Sequence, residues 1–275
     1  MAQAGKMKND TRNIRRETSL GVEAFFFHGV MQTFPSHFHS YYVVGCIEDG
    51  ARRMVCNNTE RLLGPGDLVL FNPGDTHACE PLHGKAFTYR CFNINPEVMH
   101  SCHRLGAAAN TLPLFSRSAV ADAGAAQTLL ALNRAFMDKK EQTARPDLED
   151  FLESLVRGHC ESCDGITRPA TKEVAAACSW LDTHYGEAVT LERLSAVSGM
   201  NKYSLLRAFV REKGITPYRY LETIRIAKAG ELLRKGDEPA RVAQVTGFSD
   251  QSHFTRFFKQ RMGLTPKRYQ SAICP

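Results

Sequence analysis

Six side chains in the first hundred residues have the chemistry to hold a small molecule. They are His37, His39 and Tyr41 in "HFHSYY", His77 closing "GPGDLVLFNPGDTH", and Tyr89 and Cys91 in "FTYRCFNI". A neutral imidazole offers one donor and one acceptor, and a phenol does both, so such a set can wall a pocket for a polar ligand. Three imidazoles can equally hold Zn²⁺ or another divalent ion, or simply hydrogen-bond to neighbouring strands. Strand alternation places His37, His39, Tyr41 and Val43 on one face, and Tyr89, Cys91 and Asn93 on one face of another strand. No Ser/His/Asp series or phosphate loop accompanies them, so no catalytic residue is assigned.

A second group lies near the other end. "RAFVREKGITPYRY" begins at Arg207 and "RFFKQRMGLTPKRY" at Arg256, with Arg, Phe, Gly, Thr, Pro, Arg and Tyr in register. Each closes a longer pattern in which a short helix ends near a glycine (Gly199, Gly247), a turn follows and a second helix opens, which is a helix-turn-helix signature. The second copy has one extra residue in its turn or helix start. Gly214 and Gly263 can take the left-handed conformation that stops a helix. Thr216 and Thr265 can cap the next helix, with Pro217 and Pro266 in its first position. Phe209 and Phe258 should point to the core. Arg207 and Arg256 occupy faces that packing does not claim, and base or phosphate contact is the expected role. Residues 171–275 carry 17 Lys/Arg against 10 Asp/Glu, a net +7, while the rest of the chain sums to −1. That asymmetry fits a polyanionic partner, nucleic acid first.

The elements that must position these groups are readable in outline. At 275 residues, 43% hydrophobic and 23% charged, the chain has room for about two ordinary folded domains. Residues 20–95 read as short strands rich in β-branched and aromatic residues, punctuated by "EDG", "GPGD", "NPGD" and "LHG". "AGAAQTLLALNRAFMDKK" and, after Pro146, "DLEDFLESLVRGHC" have helical spacing. "CDGITRPA" reads as a linker. "YRYLETIRIAKAGELLRKG" is apolar on two faces, Tyr220, Leu221, Ile224 and Ala227 on one and Ile226, Ala229 and Leu233 on the other, as expected of a helix clamped between two bodies. No apolar run approaches a membrane span of about 18 residues, and the start lacks a signal h-region. A cytoplasmic location follows, with the nine cysteines expected as free thiols. The lone C-x-x-C pair Cys160 and Cys163 has neither a second pair nor a redox context.

The final hundred residues resemble the DNA-binding domain of AraC/XylS-type bacterial transcription regulators, through "LSAVSGMNKYSLLRAF", "REKGITPYRYL", "IRIAKAGELL" and "VAQVTGFSDQSHFTRFFKQRMGLTPKRY". The resemblance implies two helix-turn-helix units joined by the long helix, with recognition helices in major grooves about 34 Å apart. By position, the first helix would present Tyr203, Leu206 and Arg207, and the second Gln251, Ser252 and Arg256. Arg suits guanine, Gln suits adenine, and Leu or Tyr meets thymine methyls. Lys202, Arg211 and Lys259 would contact phosphates. His253 matches an aromatic packing position, and Pro239 replaces an Ile-like residue. Residues 20–95 are similar, more weakly, to the cupin barrel that forms many effector domains of this family. Gly50, Gly74 and His77 keep the cupin spacing, but Val43 stands where metal-binding cupins have Glu. This comparison turns Tyr89 and Cys91 inward.

The expected architecture is multidomain α and β: a cupin-like β-barrel with a helical pair, followed by an all-α double helix-turn-helix domain. The divisions are 1–118 for effector binding, 119–163 for a helical dimerisation region, 164–170 for a linker and 171–275 for DNA binding. The expected function is transcription regulation by a non-enzyme. Its partners would be a double-stranded DNA operator, a small-molecule effector, a second copy joined through Leu129, Leu130, Phe136 and Leu152, and RNA polymerase. A divalent metal such as Zn²⁺ is the one cofactor the histidines suggest. The alternatives are a metal- or thiol-sensing regulator, or a metal-dependent cupin enzyme fused to a DNA-binding module.

Overall fold

The computed structural model describes residues 10–103, 112–161 and 170–274. The chain divides into two compact units, one β-rich and one helical.

The β-rich part of the chain begins with β1 (Thr11–Glu17), β2 (Val22–Val30), β3 (Phe34–His37), β4 (Tyr42–Asp49), β5 (Arg52–Cys56), β6 (Thr59–Leu63), β7 (Asp67–Phe71), β8 (His77–Pro81) and β9 (Phe87–Ile94), of which residues 34–38 and 76–78 group with the helical unit. It continues through α1 (Pro96–His103), β10 (Leu114–Phe115), β11 (Ala119–Ala121), α2 (Ala123–Met137), α3 (Glu141–His159) and β12 (Cys160–Glu161). The strands form a six-stranded sheet in the order β1-β2-β9-β4-β7-β11, a four-stranded sheet β3-β8-β5-β6, and the small pair β10-β12.

Strand β4 shows why the unit holds together. Tyr42, Val44 and Cys46 alternate onto one face, where they join Leu68, Leu70, Phe92 and Ile94 in a core completed by α2 and α3. Val43, Gly45 and Ile47 take the opposite face. There the four-stranded sheet lies across from the six-stranded one: the Arg52 guanidinium of β5 sits 3.7 Å from the Phe87 ring centre of β9. Both faces of β4 are therefore covered, and its buried run is nearly continuous.

Helices α2 and α3 seal the outer face of the large sheet. Leu129, Phe136 and Leu152 are at most 1% exposed and belong to this intrachain core, with Leu130 packed against it. This corrects the expectation that these residues join two copies: their apolar stripe is already spent on their own sheet. Asn133, fully buried on the same helix, donates to the Phe25 and Cys91 carbonyls at 3.3 and 3.0 Å and accepts from Arg90. It ties α2 to β2 and β9. The second helix also starts earlier than the sequence suggested. It runs from Glu141, with Pro146 inside it, at the loss of one helical hydrogen bond. Most of the expected 164–170 linker, and Cys163, lie outside the described residues.

The helical unit consists of α4 (Lys172–Thr183), α5 (Leu191–Ser198), α6 (Lys202–Lys213), α7 (Pro217–Arg234), α8 (Pro239–Val245), α9 (Gln251–Met262) and α10 (Pro266–Ile273). The repeated residues do the jobs their chemistry suggested. Gly214 and Gly263 end α6 and α9 at φ 70° and 77°, and Gly199 ends α5 at 70°. The hydroxyls of Thr216 and Thr265 accept from the amides of Arg219 and Arg268, with Pro217 and Pro266 opening α7 and α10. Such caps are each worth about 1 kcal/mol. Phe209 and Phe258 are fully buried. Helix α7 packs on α4 and α6 through one side and on α8, α9 and α10 through the other, as its two apolar faces require. Pro239 occupies the first turn of α8, where its missing amide hydrogen costs nothing.

Candidate functional site

The second helices of the two helix-turn-helix patterns, α6 and α9, are built alike. Asn201 caps α6 by accepting from the Ser204 amide at 2.9 Å, and Asp250 caps α9 by accepting from the His253 amide at 2.7 Å. Phe209 and Phe258 each stand eight residues beyond their cap, so the extra residue of the second copy lies in its turn. With the phenylalanines inward, the opposite faces are presented to solvent. Lys202, Tyr203, Arg207 and Arg211 are exposed on α6, with Leu206 half-buried; Gln251, Ser252, Arg256 and Lys259 are exposed on α9. Tyr203 is 78% exposed, an unusual state for a large aromatic side chain unless it has a partner to meet. Two of the expected phosphate ligands hold carboxylates: Lys202 pairs with Glu192, and Arg211 with Glu212 at 2.6 Å. The Lys202 pair is exposed at both ends and weak, whereas Glu212 is largely covered and also accepts from the Thr171 amide and hydroxyl. His253 packs edge-on to Phe257 and Phe248 at 4.6 and 5.6 Å, in keeping with a structural role.

His37 ends β3 and His77 begins β8, both 5% exposed, with ring centres 4.4 Å apart; both group with the helical unit, whereas His39 belongs to the β-rich one. His39 is half-buried and stacks on Tyr41 at 4.6 Å. Its carbonyl accepts from the Gly74 amide at 2.8 Å. Gly74 sits at φ 87°, a conformation open to glycine, in a turn where the Asp75 carboxylate accepts from the Asn72 amide. The single-strand reading of "HFHSYYVV" needs correction. β3 stops at His37 and β4 starts at Tyr42, because the chain passes there from the small sheet to the large one. A bend, not one continuous strand, therefore separates His37 from Tyr42.

Tyr89 and Cys91 lie on β9 beside β4, with Gly45 opposite Cys91 and Val43 opposite Asn93. Burial holds the Tyr89 phenol well above its usual range, and the Cys91 thiol is pushed up to about 12. Gly45 has a specific duty that sequence reasoning missed. A Cβ there would stand 2.0 Å from the Tyr89 hydroxyl oxygen and 2.4 Å from the carbon bearing it. Gly45→Ala is expected to lower stability by about 1–3 kcal/mol, as overpacking does, and Tyr89→Leu in the same chain should restore most of the loss. Urea denaturation of the two variants measures both. Burial also raises Cys46 and Cys79 to about 11 and Cys56 to about 12. These thiols stay protonated at neutral pH and make poor redox sensors.

Comparison with known proteins matches residues 19–156 to the AraC-like ligand binding domain and residues 194–272 to a helix-turn-helix domain. The chain belongs to the AraC family of transcriptional regulators. It is 42% identical over 250 residues to the uncharacterized HTH-type transcriptional regulator YbfI of Bacillus subtilis (strain 168), covering 90% of each chain. It is 28% identical to the HTH-type transcriptional activator RhaS of Pectobacterium atrosepticum, over 85% of this chain and 86% of that one. Apo ToxT from Vibrio cholerae strain SCE256 shares the fold, with a TM-score of 0.58 at 14% identity over 94% of this chain and all of that one. ToxT from the same strain has also been solved with an unsaturated fatty acid bound, at a TM-score of 0.57 and 14% identity over 98% of both chains. This AraC-family regulator thus joins a β-rich ligand-binding domain to a helical DNA-binding region. No helix among its described residues is long and apolar enough to cross a membrane.

Proposed function

We propose that this regulator binds a specific duplex operator through α6 and α9, and that a small molecule in the β-rich domain controls that binding. The observation that carries the reading is the pair of identically capped helices that expose Arg207 and Arg256 at matching places. Arg207, Arg256 and Gln251 would read base edges, with Tyr203, Leu206 and Ser252 beside them. Lys202, Arg211 and Lys259 would hold phosphates. The effector would meet His37, His39, Tyr41, His77, Tyr89 and Cys91. We take 1–118, 119–163, 164–170 and 171–275 as effector, helical, linking and DNA-binding segments. The working species would be a cytoplasmic homodimer that acts on RNA polymerase, without enzymatic activity. Its contacts between copies would come from the outward faces of α2 and α3.

The test begins by selecting the preferred duplex from a random pool with the full chain. Arg256→Ala is then expected to weaken that duplex by about 1–3 kcal/mol and to relax one base preference, whereas Lys259→Ala weakens all sequences alike. No preference over random DNA at about 150 mM salt, where non-specific binding is already weak, would defeat the reading. For the effector, coupling of about 1–3 kcal/mol between the two sites is the expected scale. His39→Ala should remove it while leaving basal DNA affinity unchanged. The thiol-sensing alternative is disfavoured by the raised thiol pKa values of Cys46, Cys56, Cys79 and Cys91.

A further inference from the structure

We propose that Arg225, seated between Gly186 and Gly247, fixes the separation of α6 and α9 and so decides which operator spacing the regulator accepts. The inference rests on the reading that both helices enter one operator, and it names the residue that sets their distance.

Helix α7 joins the two helix-turn-helix halves, but a shared helix does not by itself fix them. Ridges and grooves admit more than one crossing angle, so each half could roll about the helix it packs on. Arg225 is placed to stop that roll. It is half-buried near the middle of α7. Its Nε donates to the Tyr185 carbonyl at 2.7 Å, and a terminal nitrogen donates to the Glu187 carbonyl at 2.8 Å. Both carbonyls belong to the loop between α4 and α5, and Tyr185 packs against the core of the first half. The same guanidinium lies 6.0 Å from the ring centre of Phe248, in the turn between α8 and α9. Phe248 is buried and packs on Phe254 of α9 at 5.2 Å. One rigid, planar fork therefore reaches from the first half to the aromatic seat of the second.

The main chains approach at the same place. A Cβ on Gly186 would stand 2.8 Å from the Val245 carbonyl oxygen. A Cβ on Gly247 would stand 2.9 Å from the Gly186 carbonyl oxygen and 2.8 Å from a terminal nitrogen of Arg225. Gly247 is also required by its own backbone, at φ 77°. Gly186 lies outside the left-handed region, so the closeness of the second half, and not its own dihedral, is what asks for glycine there.

The consequence is a spacing rule. Two linked binding modules engage together most strongly when the link is stiff and matches the span between their sites. Moving one site by a base pair shifts its groove by about 3.4 Å and turns it by about 35°. A junction closed by two hydrogen bonds and touching main chains does not follow that movement, so one helix loses its base contacts.

The experiment titrates the full chain against its selected duplex and against two copies of it. In these, one base pair is inserted or removed between the two contacted groove segments, located by footprinting. Wild type should bind either altered duplex at least about tenfold more weakly, since a lost base contact costs about 5–150-fold. Arg225→Lys keeps the charge but loses the fork, and its discrimination should fall below about threefold, as for a link that no longer enforces one span. Gly186→Ala wedges the halves apart and should weaken the selected duplex more than the altered ones. Thermal melting is recorded for each variant. Wild type that accepts the altered duplexes within about twofold overturns the junction as a spacing determinant, while operator binding by α6 and α9 survives. Arg225→Lys that discriminates as sharply as wild type overturns it as well. So does a variant with a lowered melt that loses all three duplexes in proportion, the mark of a role in stability alone. If Arg225→Lys fails to fold, Gly186→Ala decides by the same ratio. A wild type without any preferred duplex defeats the operator reading and this inference together.

Discussion

Phe258→Ala will lower stability by about 3–5 kcal/mol, the usual cost of emptying a buried phenylalanine site, and will abolish operator binding. Phe258 is fully buried on α9, with Phe254 and Tyr269 edge-on to it at 5.5 and 5.4 Å. Tyr269 is itself fully buried on α10. The three rings form the seat that holds the exposed side of α9 outward, so removing the central ring leaves the exposed arginine without a platform. The contrast with Arg256→Ala is diagnostic. That variant should lose affinity with an unchanged thermal transition, because Arg256 is exposed. Circular dichroism melting beside operator titration separates the two. Loss of DNA binding by Phe258→Ala with an unshifted melt would refute the packing argument.

The second large effect is expected at Phe136. Its ring is 1% exposed and meets Phe92 of the large sheet edge-on at 5.3 Å. Phe136→Ala should cost about 3–5 kcal/mol. Phe136→Asp should cost more, because it buries an unpaired carboxylate. If this side chain were part of an interface between copies, the aspartate variant would yield a folded monomer. The expected result is instead a β-rich domain that fails to fold, read by loss of cooperative unfolding. A folded monomeric Phe136→Asp would restore the dimer role that the packing of α2 removes.

Much of the helical unit was legible because its residues act locally. A glycine at a helix end, a threonine before a proline and a phenylalanine eight residues past a cap each report on their own few turns. The β-rich unit was legible in composition but not in detail. Its pairings join distant segments, and nothing local marks the partner. The strand β1, "TRNIRRE", was missed because its charges hide the alternation that buries Arg12 and Ile14. Nothing in the sequence singled out Gly45, and only the ring of Tyr89 on the neighbouring strand β9 explains it. The apolar stripe of α2 was visible, but periodicity does not say whether a stripe faces its own sheet or a second chain. The histidines were visible by type and spacing, although a bend, not one continuous strand, separates His37 from Tyr42.

The order of the two units along the chain has a consequence for biosynthesis. Antiparallel sheets built from distant segments fold in milliseconds to seconds, whereas helical hairpins with local contacts fold in microseconds to milliseconds. Here β4 pairs with β9, and β7 waits for β11, so the β-rich unit is the slow one. It is also the first to leave the ribosome. Once β12 has been made, the helices spanning residues 172–273 are still to come, and at about 5–20 residues per second they take some 5–20 s. That delay outlasts even a slow sheet. The exposed edge strand β6, with Leu62 facing solvent, is thereby paired with β5 before the basic helical unit exists to compete for it. Reversing the gene order of the two domains would remove this head start, and aggregation during synthesis, not loss of final stability, is where the cost would fall.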